Sequence, residues 1–355
     1  MKAAIFHGVG QPIEVREIPV PSAGPGQVLI RVKTSGICGG DMQRVSGVFK
    51  VKTPIILGHE PAGEIAAIGE DVPGFAVGDA VGVNPFPLCG SCYWCSRGME
   101  NLCVNITKAI GQSREYDPEG PMIGQGAYAE YMLAERSQLF KIPPGIPPLA
   151  GTVITSAGGT IFHAIRKGGV DVADTVAIYG IGDLGSMGIQ FLKLIGARVV
   201  CVDIMDEKLQ LAKRLGADEV INAKKEDPVK TIRELTDGRG ADVALEVIGL
   251  KKTMEQAIES VRKGGRIVDV GSVMDPISLN MAPSPVKFEG FSLSKEVTLM
   301  TVTHFTRADL AKLLEIAATG KVDFTTGTKS VALYDINSAF EDKKSGTQLR
   351  VVVTP

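Results

Sequence analysis

The clearest pattern of apolar and polar positions lies in the middle of the chain. Residues 176–179 form a short apolar run with the length and β-branched content of a buried parallel strand. The segment 180–185, with the sequence G-I-G-D-L-G, follows directly, and residues 186–194 then carry apolar side chains at helical spacing. This pattern predicts a strand, a tight glycine turn and a helix in immediate succession.

The three glycines of this turn have separate roles in a nucleotide-binding fold. Gly180 permits the turn, Gly182 lets a diphosphate approach the backbone, and Gly185 allows the helix to pack closely on the strand. The diphosphate then binds the free N–H groups at the start of the helix, where the helix dipole favours an anion. Glycine-rich turns are common, so the next segment decides the interpretation.

A second apolar run, residues 197–203, predicts the neighbouring strand and ends in Asp203, eighteen residues after Gly185. A carboxylate at this place binds the two ribose hydroxyls of adenosine and repels a 2′-phosphate. The pattern therefore predicts NAD rather than NADP as the cofactor. The alternative is a structural turn followed by a solvated aspartate.

Residues 1 to about 150 have a different pattern. Alternating segments such as 27–33 and 63–69 are separated by turns rich in proline and glycine. This arrangement favours an irregular β-barrel or sandwich. Two kinds of domain are therefore expected, and a chain of 355 residues is long enough to give each a sizeable core.

The composition excludes several classes of function. A hydrophobic content of 44% and a charged content of 22% are ordinary for a soluble globular protein, and a net charge of -2 argues against a nucleic-acid surface. No apolar run approaches the roughly 20 residues of a membrane helix, and the amino terminus lacks the pattern of a signal peptide. We therefore expect a cytoplasmic protein with reduced cysteines and no nucleic-acid or membrane partner.

Four of the six cysteines lie within fifteen residues, in the spacing C-x2-C-x2-C-x7-C. Four thiolates on one loop close a tetrahedral zinc site, and such a site is structural because no position remains for water or substrate. An iron–sulfur cluster is the minor alternative. The ligands predicted for one structural zinc are Cys89, Cys92, Cys95 and Cys103.

With two further segments, around Cys38 and His59, the chain resembles the zinc-containing medium-chain dehydrogenases, the family of the alcohol, sorbitol and threonine dehydrogenases. The resemblance runs nearly end to end. It rests on G-I-C at 36–38, G-H-E at 58–60, G-D-A-V-G at 78–82, the four cysteines, A-Y-A-E-Y at 127–131, the glycine turn, Asp203, Lys208, L-G-A-D at 215–218 and G-G-R-I-V at 264–268.

The resemblance implies an α/β protein in which a Rossmann domain interrupts a GroES-like β-barrel. The barrel, or catalytic domain, is expected to contain residues 1–156 and 302–355, with the zinc lobe at about 87–104. The doubly wound parallel sheet of the NAD-binding domain is expected at 157–301. Because such lobes lie near subunit contacts in the family, a homodimer or homotetramer is expected.

The resemblance also implies roles for single residues. Cys38 and His59 match two ligands of a second, catalytic zinc, Glu60 matches an acid that can approach the metal, and Asp41 matches the residue that orients the histidine. The residues expected to bind the cofactor are Gly180, Gly182, Asp183, Leu184 and Gly185 in the turn, Asp203 and Lys208 at the ribose, Val270, Thr301 and Val302 at the nicotinamide, and Arg350 at the diphosphate.

Three departures from the family pattern lie at the reacting centre. Gly40 replaces the Ser or Thr whose hydroxyl passes on the substrate proton, Gln43 replaces a His that completes the relay in some members, and Ser156 replaces the third charged zinc ligand. Two interpretations remain: zinc is bound through Cys38, His59 and Glu60 with water, or the catalytic metal is absent. Residues 107–124 are longer than the corresponding link in compact relatives, and the part at 110–120 is either a substrate-shaping loop or a surface excursion.

These observations predict an NAD-dependent oxidoreductase that transfers hydride between nicotinamide and an alcohol or carbonyl group of a small molecule. One alternative is reduction of a C=C bond conjugated to a carbonyl, which depends less on the missing proton relay. A second alternative is a non-enzymatic sensor or structural protein that keeps the NAD fold.

Overall fold

The computed structural model describes residues 1–106, 126–273, 275–277, 295–346 and 348–355, so the segment 110–120 lies outside the described residues. The chain divides into two compact units. The first contains Met1–Ser156 and Thr306–Pro355, and the second contains Ala157–Phe305. In the described part of the chain, no helix combines the length and apolarity needed to cross a membrane. The first unit is therefore assembled from both ends of the chain.

The amino-terminal part of the first unit consists of short strands joined by turns, in agreement with its alternating pattern. Its strands and helices are β1 (Lys2–Phe6), β2 (Glu14–Glu17), β3 (Gln27–Gly36), α1 (Gly39–Val45), β4 (Ile55–Ile56), β5 (Pro61–Ile68), β6 (Ala80–Val83), β7 (Tyr131–Glu135), β8 (Leu139–Lys141) and α2 (Pro148–Val153). β3 pairs antiparallel with both β5 and β7. Val28, Ile30 and Val32 of β3 are buried in one apolar cluster while Arg31 is exposed, because side chains alternate along a strand.

The second unit is built on a parallel sheet. Its elements are α3 (Gly159–Lys167), β9 (Thr175–Tyr179), α4 (Asp183–Ile195), β10 (Arg198–Asp203), α5 (Asp206–Arg214), β11 (Glu219–Asn222), α6 (Pro228–Glu234), β12 (Ala241–Glu246), α7 (Lys251–Ser260), β13 (Val261–Asp269) and β14 (Thr298–Thr301). The described strands pair in the order β11-β10-β9-β12-β13-β14. This is the strand order of a dinucleotide-binding fold, with β9 at the point where the direction of winding reverses.

The helix after the glycine turn begins earlier than its apolar pattern indicates. α4 starts at Asp183, inside the turn, rather than at residue 186. Gly182 is the residue before the first turn of the helix, and Asp183 is an acid in that first turn, where the helix dipole stabilises negative charge. Apolar periodicity detects only the part of a helix that packs on a core, so it misses this polar start.

The end of the chain returns to the first unit through α8 (Arg307–Ala318), β15 (Thr328–Ala332), α9 (Ile336–Ser345) and β16 (Arg350–Thr354). β16 pairs antiparallel with β3 and parallel with β15, giving the sheet order β15-β16-β3-β5-β6-β8 with β7 also on β3. Phe340 of α9 lies against Tyr128 with ring centroids 6.0 Å apart. The carboxyl-terminal segment therefore completes the sheet that positions α1.

Candidate functional site

The glycine turn lies at the carboxyl end of β9 and leads directly into α4. Gly180 has a φ of 104°, and a Cβ atom on it would lie 2.5 Å from Cγ1 of Ile248. A Cβ atom on Gly185 would lie 2.0 Å from the carbonyl oxygen of Gly180. No described atom lies within 4 Å of the Cβ position of Gly182. The turn therefore combines close packing at two glycines with open space at the start of α4.

Asp203, the last residue of β10, is buried and ties the glycine turn to the neighbouring strand. Its Oδ2 accepts a hydrogen bond from the N–H of Ile181 at 2.8 Å. Its Oδ1 accepts from the N–H groups of Ile204 and Met205 at 2.7 and 3.1 Å. Three backbone donors thus hold the carboxylate at the edge of the sheet, and Lys208 follows it as a half-buried residue of α5.

Sequence reasoning missed two apolar residues, one directly after Asp203 and one beside the glycine turn. Ile204 and Ile248 are 50% and 42% exposed, and Ile248 lies against Gly180. Exposed apolar side chains beside the glycine turn and the acid that follows it offer surface on which a planar ring can pack. Ile204 could have been found from its place after the acid that ends the strand, whereas nothing in the sequence distinguishes Ile248.

The residues predicted to border the nicotinamide follow one another along the same edge of the sheet. The N–H of Val270 donates to the carbonyl of Glu246 at 2.9 Å, and the N–H of Val302 donates to the carbonyl of Asp269 at 3.1 Å. Thr301 is the register partner of Asp269. Ligands of open α/β sheets bind outside the carboxyl ends of the strands. The fold brings these residues to the same edge as the glycine turn and Asp203.

Arg350, predicted at the diphosphate, is the first residue of β16 and is only 3% exposed. Its Nη1 donates to the carbonyl of Phe324 at 3.0 Å and to Oγ1 of Thr328 at 3.4 Å. These bonds lie inside the first unit. The contact of Arg350 with the cofactor stays a prediction.

The four cysteines of the lobe bring their sulfur atoms together. All four Sγ atoms lie within 4.8 Å of one another. The distance from Cys89 to Cys103 is 3.5 Å, that from Cys89 to Cys95 is 3.9 Å, and that from Cys92 to Cys103 is 4.0 Å. Zinc–sulfur bonds of about 2.3 Å in a tetrahedron place sulfurs about 3.8 Å apart. The donor set and its spacing therefore fit a four-thiolate zinc ion.

Donors around the lobe stabilise negative charge on sulfur. Sγ of Cys89 accepts from the N–H of Cys92 at 3.4 Å and from Nδ2 of Asn105 at 3.5 Å. Backbone N–H groups of Ser91 and Cys92 lower the pKa of Cys89 to about 5. Burial and the neighbouring Cys92 raise the pKa of Cys95 to about 12. A cation among the sulfurs is what allows all four to ionise, so metal binding here releases protons.

Cys38, His59 and Glu60 form a second cluster, whose ligand atoms also lie within 4.8 Å of one another. Cys38 is the residue that precedes α1, and the other two directly precede β5. β3 and β5 pair so that the N–H of Gly36 donates to the carbonyl of Glu60 at 3.3 Å. The antiparallel pairing of these two strands therefore assembles a cluster from segments that are distant in the sequence.

Asp41, which the resemblance predicts to orient the histidine, contacts His59 directly. Its Oδ1 lies 3.1 Å from Nδ1 of His59, and its Oδ2 accepts the N–H of Cys38 at 3.1 Å. The hydroxyl of the fully buried Tyr128 lies 3.0 Å from Oδ2. Because Nδ1 of His59 faces a carboxylate, Nε2 is left for the cluster.

Burial and neighbouring charges shift the pKa values of this cluster. Burial and the Glu60 carboxylate raise the pKa of the Cys38 thiol. Burial acts to lower the pKa of His59, but Asp41 outweighs it and raises that pKa well above its ordinary value. Burial likewise acts to raise the pKa of Asp41, which His59 and the Cys38 N–H hold below its ordinary value. The thiol, imidazole and carboxylate suit a divalent cation, whose charge favours the deprotonated ligands.

Ser156 lies in the same cluster but acts there as a donor. It belongs to a π-helical turn, Ile154–Gly158, that continues α2, and its hydroxyl donates a short hydrogen bond to Oε1 of Glu60. Oε2 of Glu60 would lie 2.0 Å from a Cβ atom on Gly36, so only glycine leaves room for this carboxylate. The residue at the position of the third ligand therefore fixes Glu60 in place.

At Gly40, where the family pattern has a hydroxyl group, the guanidinium of Arg44 lies close to the backbone. A Cβ atom on Gly40 would lie 3.7 Å from Cε1 of His59 and 2.9 Å from Nη1 of Arg44. Arg44 follows Gly40 by one helical turn of α1, and Gln43 is its half-buried neighbour. Sequence reasoning missed Arg44, although its i+4 spacing from a residue without a side chain was a usable signal.

The strand order, the glycine turn and Asp203 define the second unit as a dinucleotide-binding fold, and the first unit carries two metal-type clusters. Comparison with known proteins agrees with this class. A family model described as an alcohol dehydrogenase GroES-like domain matches residues 24–144, and one described as a zinc-binding dehydrogenase matches residues 184–319.

Several relatives match over almost the whole chain. An alcohol dehydrogenase of Geobacillus stearothermophilus is 35% identical over 349 residues, covering 98% of this chain and 96% of its own. An NAD-dependent alcohol dehydrogenase of Sulfurisphaera tokodaii is 32% identical over 354 residues, covering 96% of each chain. The solved structure of the alcohol dehydrogenase TADH of Thermus sp. ATN1 superposes with a TM-score of 0.89 at 29% identity, covering 100% of this chain and 99% of that one.

The chain therefore belongs to the zinc-containing medium-chain dehydrogenase family. The predicted family and fold class, a GroES-like domain with a Rossmann-type parallel sheet, are confirmed. Membership implies NAD and zinc as cofactors and a small-molecule substrate. It also favours the main functional prediction, an NAD-dependent dehydrogenase or reductase, over the alternatives.

Proposed function

We propose that the protein transfers hydride reversibly between NAD(H) and the carbon of a small alcohol or carbonyl compound, and that the Cys38–His59–Glu60 cluster is its reaction centre. The observation that carries this proposal is the arrangement around His59. Its Nδ1 lies 3.1 Å from the Asp41 carboxylate, and one ring nitrogen lies within 4.8 Å of the thiol of Cys38 and of a carboxylate oxygen of Glu60. Such a mixed, oriented donor set is typical of a catalytic metal site rather than of a structural one.

The residues of the chain prepare this site in three ways. Asp41 fixes the tautomer and orientation of His59, Ser156 holds one oxygen of Glu60, and Gly36 leaves room for the other oxygen. When bound, zinc would supply Lewis-acid chemistry to the substrate oxygen. Gly40 offers no hydroxyl for the proton of the alcohol, so we infer that water exchanges that proton with the substrate.

The nucleotide site supports NAD as the cofactor. The carboxylate of Asp203 is held by three backbone N–H groups next to the glycine turn. A ribose with two free hydroxyls can donate to this carboxylate, whereas a 2′-phosphate would be repelled by it. We infer that Lys208, Asp183 and Leu184 complete this site, with Val270, Thr301 and Val302 at the nicotinamide.

The lobe supports a second inference, on metal content and assembly. We propose one structural zinc bound by the four cysteines and a second zinc, held less tightly, in the Cys38 cluster. The lobe exposes Tyr93, Leu102 and Val104, at 60%, 41% and 70%. Exposed apolar residues grouped on one segment suit a subunit contact, so we propose a homodimer or homotetramer. Reduced cysteines that bind metal suit the cytoplasm.

A second candidate reaction is reduction of a C=C bond conjugated to a carbonyl. The specific observation in its favour is Gly40, because hydride addition to an enone does not need a hydroxyl that exchanges an alcohol proton. One substrate separates the two reactions. Reduction of 2-cyclohexen-1-one at oxygen forms 2-cyclohexen-1-ol, whereas reduction of its C=C bond forms cyclohexanone.

The test is to incubate the purified zinc-loaded protein with NADH or NADPH and 2-cyclohexen-1-one, and to identify the product by gas chromatography. We expect the allylic alcohol, with NADH preferred. His59→Ala should abolish turnover but leave NADH binding intact. The matched control is His7→Ala, since His7 is a partly exposed residue paired with Glu14. Intact NADH binding without turnover of any ketone or enone would refute the enzymatic proposal.

A further inference from the structure

Arg44 is a buried cation at the second cluster that no part of the proposed mechanism uses. It lies in the last turn of α1 and is only 8% exposed. Its guanidinium lies over Gly40, with Nη1 2.9 Å from the position where a Cβ atom would stand. The same position is 3.7 Å from Cε1 of His59. The cation therefore occupies the side of the cluster where relatives place a hydroxyl group.

The N–H donors of the Arg44 guanidinium are available to a ligand. Within the part of the chain that the structure describes, its side chain makes neither a hydrogen bond nor an ion pair. The nearest acid on its own helix is Asp41, which Arg44 stabilises electrostatically. The oxygens of Asp41 are already engaged by Cys38, His59 and Tyr128. None of the Arg44 nitrogen atoms is among the described side-chain atoms that are both shielded from solvent and without a hydrogen-bond partner, so these donors are open to an anionic ligand.

We propose that Arg44 binds a carboxylate of the substrate, so that the enzyme prefers short oxo or hydroxy acids to neutral ketones and alcohols. The inference rests on the proposed function and specifies its substrate class. A guanidinium presents paired N–H donors that match the two oxygens of a carboxylate. Gly40 makes this possible, because any larger residue there would contact Nη1.

The diphosphate of the cofactor is the other anion to consider. The second unit already provides for it with the glycine turn and the open space at Gly182, at the start of α4. Arg44, by contrast, lies beside His59 in the proposed reaction centre. A substrate carboxylate one or two carbons from the reacting carbonyl is therefore the favoured ligand of Arg44. The affinity for NADH is measured separately, to distinguish this ligand from the diphosphate.

The kinetic test compares 3-oxobutanoate with 3-oxobutanamide, which have the same carbon skeleton and differ in charge. We expect the wild-type enzyme to prefer the acid. Arg44→Met should raise KM for 3-oxobutanoate by about 10- to 100-fold, the scale of a lost charged hydrogen bond, and should leave KM for the amide within about threefold. Arg44→Lys should have a KM for 3-oxobutanoate between those of the wild type and Arg44→Met. Arg136→Met, which removes an exposed arginine of the same unit, is the control.

A binding measurement that needs no turnover accompanies the kinetics. Isothermal titration of the wild-type protein with butanoate should give heat that Arg44→Met abolishes and Arg136→Met retains, while butanamide gives none. If no ketone is reduced but butanoate binds through Arg44, the proposed function fails and the anion site stands. If ketones are reduced and Arg44→Met changes neither 3-oxobutanoate kinetics nor butanoate binding, the inference is wrong. A loss confined to NADH affinity would assign Arg44 to the diphosphate and would also overturn it.

Discussion

The two clusters of metal-type side chains in the first unit are assembled in opposite ways. The lobe takes four identical ligands from one stretch of fifteen residues, and its sulfurs lie 3.5 to 4.0 Å apart in the pairs that are in contact. The second cluster takes a thiol, an imidazole and a carboxylate from two segments that meet only because β3 pairs with β5. The ligands of the lobe are brought together by one loop, whereas those of the second cluster are brought together by strand pairing in the sheet.

The surroundings of the clusters differ as much as their ligands. In the lobe, Sγ of Cys89 accepts hydrogen bonds from the backbone N–H of Cys92 and from Nδ2 of Asn105. Around the second cluster, Asp41 and Ser156 each contact a proposed ligand, Tyr128 contacts Asp41, and the guanidinium of Arg44 lies over Gly40. Four thiolates would fill every position of the proposed zinc ion in the lobe and leave it a structural role, whereas three ligands in the mixed cluster would leave one position for a substrate. Four variants test this contrast.

The largest effect is expected for Cys92→Ser in the lobe. Structural zinc contributes binding free energy on the order of 10 kcal/mol to folding, so a weakened site should lower the melting temperature sharply and remove one zinc per chain. Metal analysis and thermal unfolding measure this. Cys201→Ala is the control, because Cys201 is fully buried in β10 and should keep the full metal content. A normal melting temperature with full zinc in Cys92→Ser would contradict the structural role.

The second effect concerns alcohol oxidation and zinc binding at the mixed cluster, both of which we expect to be weak. We predict that wild-type protein oxidises propan-2-ol poorly and loses its second zinc on dialysis. Gly40→Ser combined with Ser156→Cys restores a hydroxyl and a charged ligand, and should raise turnover by roughly 10²-fold, within the range of general-base catalysis. The new serine must displace Nη1 of Arg44, the mobile end of a long side chain.

Turnover and zinc content of the wild type, the two single variants and the double variant are measured together. The single variants show which of the two changes, ligand or hydroxyl, carries the gain. Rapid oxidation of propan-2-ol by the wild type, with two zinc ions retained through dialysis, would refute the view that this cluster is weakened.

A smaller effect is expected when the orientation of His59 is disturbed. Asp41→Asn replaces a carboxylate that contacts the histidine, and should lower zinc affinity at the mixed cluster by about 10- to 100-fold, with the lobe unaffected. Competition with a fluorescent zinc indicator measures both sites. Asp79→Asn is the control, since Asp79 pairs with Lys141 in the same unit away from the ligands. Equal zinc affinity at the mixed cluster in the two variants would show that Asp41 does not support zinc binding.

The smallest effect lies in the second unit, which should be independent of both clusters. Asp203→Ala should weaken NADH binding by about 1–3 kcal/mol and reduce discrimination against NADPH, without changing zinc content. Asp218→Ala is the control, because Asp218 also accepts a backbone N–H, from Val199, but lies away from the turn. Titration of both nucleotides measures the effect. Tighter binding of NADPH than of NADH by the wild type would disprove the assignment of Asp203.

Much of the second unit could be predicted because its signals are local. The strand at 176–179, the glycine turn and Asp203 follow one another within one β-turn-α-β stretch, and the observed elements differ from the expected ones by a few residues at their ends. The position of Ile248 was not predictable, since it reaches Gly180 from the end of a strand more than sixty residues later in the chain. Parallel strands meet through crossovers that leave no mark in local sequence.

The sequence by itself determined the fold class and family, the four-cysteine lobe, the nucleotide turn with its acid, and the identity of the residues that depart from the family pattern. Each of these depends on spacing along the chain, and short segments retain their spacing in any fold. The tertiary structure alone decided what the departures mean. It placed the Ser156 hydroxyl on Glu60 and the Arg44 guanidinium over Gly40, because hydrogen bonds and close packing between distant segments depend on which strands pair.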